Sequence, residues 1–105
     1  MTDTRLHLTR LLDDMQDELQ RLDLWETLPP EPQAFESATP FFADTMNFSQ
    51  WLQWVFIARF RALLEADHPL PAQCDVAPLA EEALRGLQQP TSELIGLIRE
   101  FDGHF

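Results

Sequence analysis

The chain contains no lysine, and its seven positive charges, all arginine, face eighteen aspartates and glutamates, for a formal net charge of −11. A protein that grips a phosphate backbone gains affinity by releasing counterions to a basic stripe, and no such stripe is visible. Long-range repulsion disfavours direct nucleic-acid binding and docking on an anionic membrane. The charge fits a basic or mixed-charge protein partner, and it also serves to keep a monomer or weak homodimer in solution. Cysteine is almost absent: Cys74 is alone, so no intrachain disulfide can form. Three glycines leave no glycine-rich phosphate loop. Long apolar runs are missing too. The densest, from Trp51 to Phe60, is broken by Gln53 and Arg59 and falls short of the ~20 residues that a membrane helix requires. The start, Met1-Thr2-Asp3, lacks a basic segment followed by an apolar one, so no secretory signal is visible and the expected compartment is the cytoplasm.

The chain does have helical periodicity. Leu8, Leu12, Met15, Leu19 and Leu22 recur at steps of four and three, which makes one apolar face of a helix over about 3–24. Thr2, Asp3 or Thr4 could cap it. Asp17 and Arg21 suit an i, i+4 pair on the opposite face. Pro29, Pro30, Pro32 and Pro40 then forbid a regular helix. Trp25, Leu28, Phe35, Phe41 and Phe42 are nevertheless too apolar for a free linker, so this long loop should pack back on the body. A second helix is expected over 48–67, capped by Asn47 or Ser49. Its apolar residues, from Phe48 and Trp51 to Leu63 and Leu64, cover most of its circumference. Such a helix must be covered on several sides by other elements, which makes it the centre of the fold.

His68-Pro69-Leu70-Pro71 stops that helix. A third, over 78–88, would start with Asp75 as cap and Pro78 in its first turn, and would bury Leu79, Ala80, Ala83, Leu84 and Leu87. A fourth, over 91–105, would be capped by Thr91 or Ser92 and bury Leu94, Ile98, Phe101 and Phe105. With 105 residues and no strand signal, the expected product is a single-domain, all-α four-helix bundle with a long proline- and aromatic-rich loop between helices one and two.

The stretch from Pro32 to Arg59 resembles the YqcC-like proteins. The resemblance is carried by Phe35, Ser37, Pro40-Phe41-Phe42, Asp44-Thr45-Met46, Trp51-Leu52-Gln53-Trp54-Val55, Ile57 and Arg59, and further on by Pro69-Leu70-Pro71 and Val76-Ala77-Pro78. It implies a small helical bundle whose function is not assigned and whose label is borrowed from a neighbouring tRNA pseudouridine synthase. It implies no catalytic residue.

Weighed as chemistry, the residues offer little to an enzyme. Asp44 would resemble the catalytic aspartate of a pseudouridine synthase, but a chain without strands or a basic cleft does not look like such an enzyme; its carboxylate is better read as accepting backbone N–H bonds near Thr45 and Asn47. Glu65-x-x-His68 matches half of a di-iron motif and lacks the other half. Cys74 lies beside Asp75, which would raise its pKa and quieten it. His7, His68 and His104 lie at segment ends, far apart in sequence. No cofactor, metal or catalytic residue is therefore expected. The candidate binding residues are Phe41, Phe42, Asp44, Trp51, Gln53, Trp54 and Arg59. Trp51 and Trp54, one turn apart, should share a face, and Arg59 should snorkel or pair with a carboxylate such as Asp44. Two functions follow. One is a non-catalytic accessory module that docks on a protein partner, with a tRNA-modifying enzyme as the candidate that the resemblance suggests. The other is a small-molecule binding bundle with an aromatic-lined pocket.

Overall fold

The leucine stripe of the first segment does become a buried helical face. In a computed structural model that describes residues 2–105, α1 runs Thr2–Arg21 and buries Leu8, Leu11, Leu12, Met15 and Leu19, with Leu22 buried just beyond its end. The helix is three residues shorter at its end than the pattern suggested, and Thr2, Asp3 and Thr4, the expected caps, already lie within it. It closes with the Leu24 N–H bonded to the Leu19 carbonyl and Asp23 at φ 60°. This is the overwound helix ending in which glycine is usual and aspartate is tolerated. On the outer face Arg21 bonds Glu18, one turn back, instead of the expected Asp17.

The second helix, α2, spans 48–65 and is regular only at its ends. Phe48–Trp51 and Ala58–Glu65 are α-helical, and Leu52–Ile57 between them is a π-helix. Asn47 caps the start in a reciprocal box: its side chain accepts from the Gln50 N–H at 3.0 Å, and the Gln50 side chain accepts from the Asn47 N–H. The end repeats the ending of α1, with Asp67 at φ 57° and the His68 N–H bonded to the Leu63 carbonyl. Within the π-helix Leu52, Gln53, Val55, Phe56 and Ile57 are all buried, as expected of a helix covered on several sides.

The third helix, α3, is shorter than expected, Ala77–Ala83, and leaves Ala83 and Leu87 exposed. Pro78 does sit in its first turn, but Asp75 does not cap it. The cap comes from elsewhere: the Asp102 carboxylate accepts the N–H groups of Val76 at 2.9 Å and Ala77 at 2.7 Å. The fourth helix, α4, runs Ser92–Asp102 and buries Leu94, Ile98 and Phe101. Thr91 is its cap residue but makes no side-chain cap bond. Phe105, beyond its end, still packs on Phe60 and Phe101.

Pairing across the helices fixes the topology. Arg5 reaches Asp67 and the His68 carbonyl, and Arg61 reaches Asp13, so α1 and α2 run antiparallel. His7 meets Glu100 while Arg21 reaches the Pro90 carbonyl, so α1 and α4 are antiparallel too. Arg99 meets Glu81 and Asp102 caps α3, which sets α3 against α4. The chain is thus an all-helical domain of four helices, with no strand among the described residues. None of these helices is long and apolar enough to cross a membrane.

Candidate functional site

The proline-rich segment between α1 and α2 is tied to α2 at Glu26, but of the residues expected to pack it down Leu28, Phe41 and Phe35 stay exposed, at 78%, 42% and 37%. The Gln53 side chain, 4% exposed, accepts from the Glu26 N–H at 2.9 Å and donates to the Glu26 carbonyl at 2.8 Å. The Glu26 carboxylate in turn accepts from Gln50 and from the Trp54 indole N–H, both at 3.2 Å. Gln53, a candidate binding residue, is therefore a buried clamp on the loop backbone. No spacing rule pointed to Glu26. The only signal for it was that a glutamine inside so apolar a helix needs a partner.

Further along, the segment forms two short 3₁₀ turns, Pro32–Glu36 and Pro40–Phe42. The Thr45 hydroxyl donates to the Ala34 carbonyl at 2.7 Å, and the Ser37 hydroxyl donates to the Asp44 carboxylate. That donation holds the exposed Asp44 carboxyl below the ordinary aspartate pKa. Asp44 therefore ties together the loop it stands in. It neither organises the start of α2, which Asn47 does, nor pairs with Arg59.

Phe41 and Phe42 stand at φ 59° and 52°. Two consecutive bulky residues in the left-handed region carry strain of about 1–2 kcal/mol each. The effect is to send neighbouring rings down opposite slopes of α2. Phe41, 42% exposed, meets Trp51 edge to face at 5.0 Å, and Phe42 meets Phe35 at 6.5 Å. One groove, about 240 Å³, runs past Phe41, Trp51, Phe56 and Phe60 to Gln73 and Asp75. The other, about 380 Å³, is lined by Phe35, Phe42, Trp54 and Ala58. Val55 and Arg59, one turn apart on α2, border both grooves.

Trp51 and Trp54 consequently do not share a face. In a regular α-helix residues three apart lie ~60° apart, but the wider π turn spreads them further. The same turn brings Trp51 and Phe56 together at 5.6 Å, although residues five apart in an α-helix diverge by ~140°. Arg59 is exposed on the ridge. Five of the seven arginines make ion pairs, with Asp67, Glu18, Asp13, Glu82 and Glu81. Among the described residues Arg59 and Arg10 make none. Of the two outcomes expected for Arg59, pairing with a carboxylate such as Asp44 does not occur, and the side chain instead reaches solvent between aromatic walls.

A larger concavity, about 570 Å³, lies between α3 and α4 and includes Cys74, Asp75, Glu81, Arg99 and Asp102. Its thiol is poorly suited to chemistry. Burial first, then the hydrogen bond from the Cys74 thiol to Asp102 at 3.1 Å, raises the thiol pKa well above its ordinary range. Asp75 contributes least of the causes, so the quiet thiol was foreseen but its main source was not. Two of the histidines, far apart in sequence, come together in the fold. His7 and His104 meet edge to face at 5.0 Å with Glu100 beside them, while His68 stands apart and joins no cluster of metal ligands with Glu65 among the described residues.

Fold and surface together define a small helical-bundle domain with a double aromatic groove. The chain belongs to the family described as tRNA pseudouridine synthase C (DUF446), whose model matches residues 7–104. It is 45% identical over 89 residues to an uncharacterized protein of Haemophilus influenzae, covering 82% of this chain and 84% of that one. It is 38% identical over 81 residues to the uncharacterized protein YqcC of Escherichia coli, covering 77% and 74%. A protein named tRNA pseudouridine synthase C, from Pectobacterium carotovorum, is 37% identical over 78 residues; these are 74% of this chain but 21% of that protein. The solution NMR structure of E. coli YqcC superposes with a TM-score of 0.79 at 35% identity, over 95% of this chain and 86% of that one.

Proposed function

We propose that the chain is a non-catalytic accessory module that docks on a tRNA pseudouridine synthase through the double groove astride Arg59. The observation that carries this reading is the strained Phe41–Phe42 pair. A backbone held in the left-handed region at two adjacent aromatics is costly, and the rings it presents stay partly in water. Aromatic and arginine side chains are the types that anchor protein interfaces. An unpaired Arg59 at the centre offers a charge-assisted contact to a partner carboxylate. The surrounding acidic surface matches the basic face of an enzyme that handles RNA. Support for the identity of the partner comes from the Pectobacterium relative, in which a stretch like this chain makes up about a fifth of a protein with that name. Two functions joined in one polypeptide are held at high effective concentration, and separate chains reach the same end by docking.

The grooves suit a protein better than a small molecule. Neither is enclosed, and a drug-sized ligand needs most of its surface buried. The test is titration of the purified chain into the tRNA pseudouridine synthase of the same organism, followed by calorimetry. Phe41→Ala and Arg59→Glu should each weaken binding at least ~tenfold, while Arg10→Glu on α1 should leave it unchanged. Equal binding by all three variants, or no binding by the unmodified chain, refutes the proposal.

A further inference from the structure

The only group of three metal-ligating side chains among the described residues is made of His7, Glu100 and His104, far from the aromatic grooves in sequence and independent of them. His7 comes from the first turns of α1. Glu100 lies in the last turn of α4, and His104 follows it by four residues, which returns it to the same side of the helix end. Their ligand atoms all lie within 4.8 Å of one another. His7 Nε2 is already 2.9 Å from Glu100 Oε2, so one hydrogen lies between them. The imidazoles meet edge to face, so both rings are near enough to turn a nitrogen towards a common point.

We infer that His7, Glu100 and His104 form a binding site for a divalent transition-metal ion. The ion takes the position of the hydrogen between His7 and Glu100: in a neutral ring that hydrogen passes to Nδ1, so that Nε2 becomes the ligand and no net proton is lost, whereas an imidazolium releases its second proton to water. Zinc bonds to nitrogen and oxygen donors at ~2.0–2.2 Å, so tetrahedral ligands stand ~3.3 Å apart. Closing from 4.8 Å to that spacing needs side-chain rotation only, since the His7 and Glu100 side chains are 43% and 53% exposed and free to turn. Two imidazoles and one carboxylate select zinc, nickel, copper or cobalt over magnesium and calcium, which favour oxygen-only sets. Three protein ligands leave a coordination position for water or for a donor from another molecule. The site would fasten the end of α4 to the start of α1, joining residues 97 positions apart without a disulfide.

Zinc chloride titrated at pH 7.5 into the full chain, followed by NMR of the histidine rings, tests this directly. One equivalent should move the His7 and His104 ring signals and leave His68 unmoved. Calorimetry should give one site, weakened at least ~tenfold by His7→Asn and by His104→Asn, with the helical circular dichroism of each variant unchanged. Magnesium at millimolar concentration should produce neither effect. Failure to saturate below 1 mM zinc, perturbation centred on His68 or Cys74, or equal affinity in the His7→Asn/His104→Asn double variant overturns the inference.

Discussion

A single amide side chain decides whether the loop between α1 and α2 is part of the body. Gln53 gives the Glu26 backbone both an acceptor and a donor from the two ends of one amide, which neither an ionised carboxylate nor an ammonium or guanidinium group could do. Gln53→Ala leaves a partly buried N–H and carbonyl without partners, each costing about 1–3 kcal/mol. A loss of about 2–4 kcal/mol in urea denaturation is expected. Gln53→Glu should also destabilise, because a carboxylate cannot donate to the carbonyl and adds repulsion against the Glu26 side chain. At this scale the sequence was only half legible. Gln53 stood out as a polar residue in an apolar helix, but the residue it holds lies 27 positions away and has no pattern of its own. Arg59 stood out for the same reason, and there the physics resolved differently: a long side chain at a groove edge reaches water without a partner.

At the scale of elements, stripes were readable and endings were not. The period of α1 and α4 could be taken from their leucines because each buries one face. In α2 the apolar residues run all round, so no period marks the widened turn at Leu52–Ile57, and Trp51 and Trp54 were assigned to one face on α-helical spacing. The cap of α3 was illegible for a different reason: Asp75, adjacent in sequence, is replaced by Asp102 from α4. A seven-residue helix is too short to persist alone, so that carboxylate should govern it. Asp102→Asn is expected to cost about 1–3 kcal/mol and to speed hydrogen exchange of the Ala77–Ala83 amides selectively. The same variant should hasten alkylation of Cys74, since one cause of its raised pKa is removed. The sign for stability follows from that pKa. A thiol held protonated in the fold contributes fully below the ordinary thiol pKa of ~8.5, and that contribution is lost as pH rises beyond it, where the unfolded chain ionises first. Alkaline titration of stability, compared with Cys74→Ser, measures it.

For the molecule as a whole, charge and architecture were the most legible properties. The all-helical class followed from periodicity and the absence of strand signals, and the solved E. coli relative has the same fold. The positions of the grooves were not legible, because they depend on the left-handed Phe41–Phe42 backbone, which neither residue type favours. The net charge of −11 carries its own expectation for the proposed docking. Raising salt from about 50 to 300 mM shortens the screening length well below ~10 Å. The association rate with a basic partner should then fall while dissociation changes little, a pattern that stopped-flow fluorescence would resolve.

The Phe41–Phe42 pair also has a mechanical side. Each ring can turn about its own side-chain bonds, but because the two are on successive residues held in the left-handed region, a change of φ or ψ at one re-aims the other. An occupant that shifts the backbone of the turn Pro40–Phe42 on one side of Val55 and Arg59 should therefore displace the ring on the other side as well. A fluorine label on the Phe42 ring would therefore sense an occupant lodged against Trp51 without touching it.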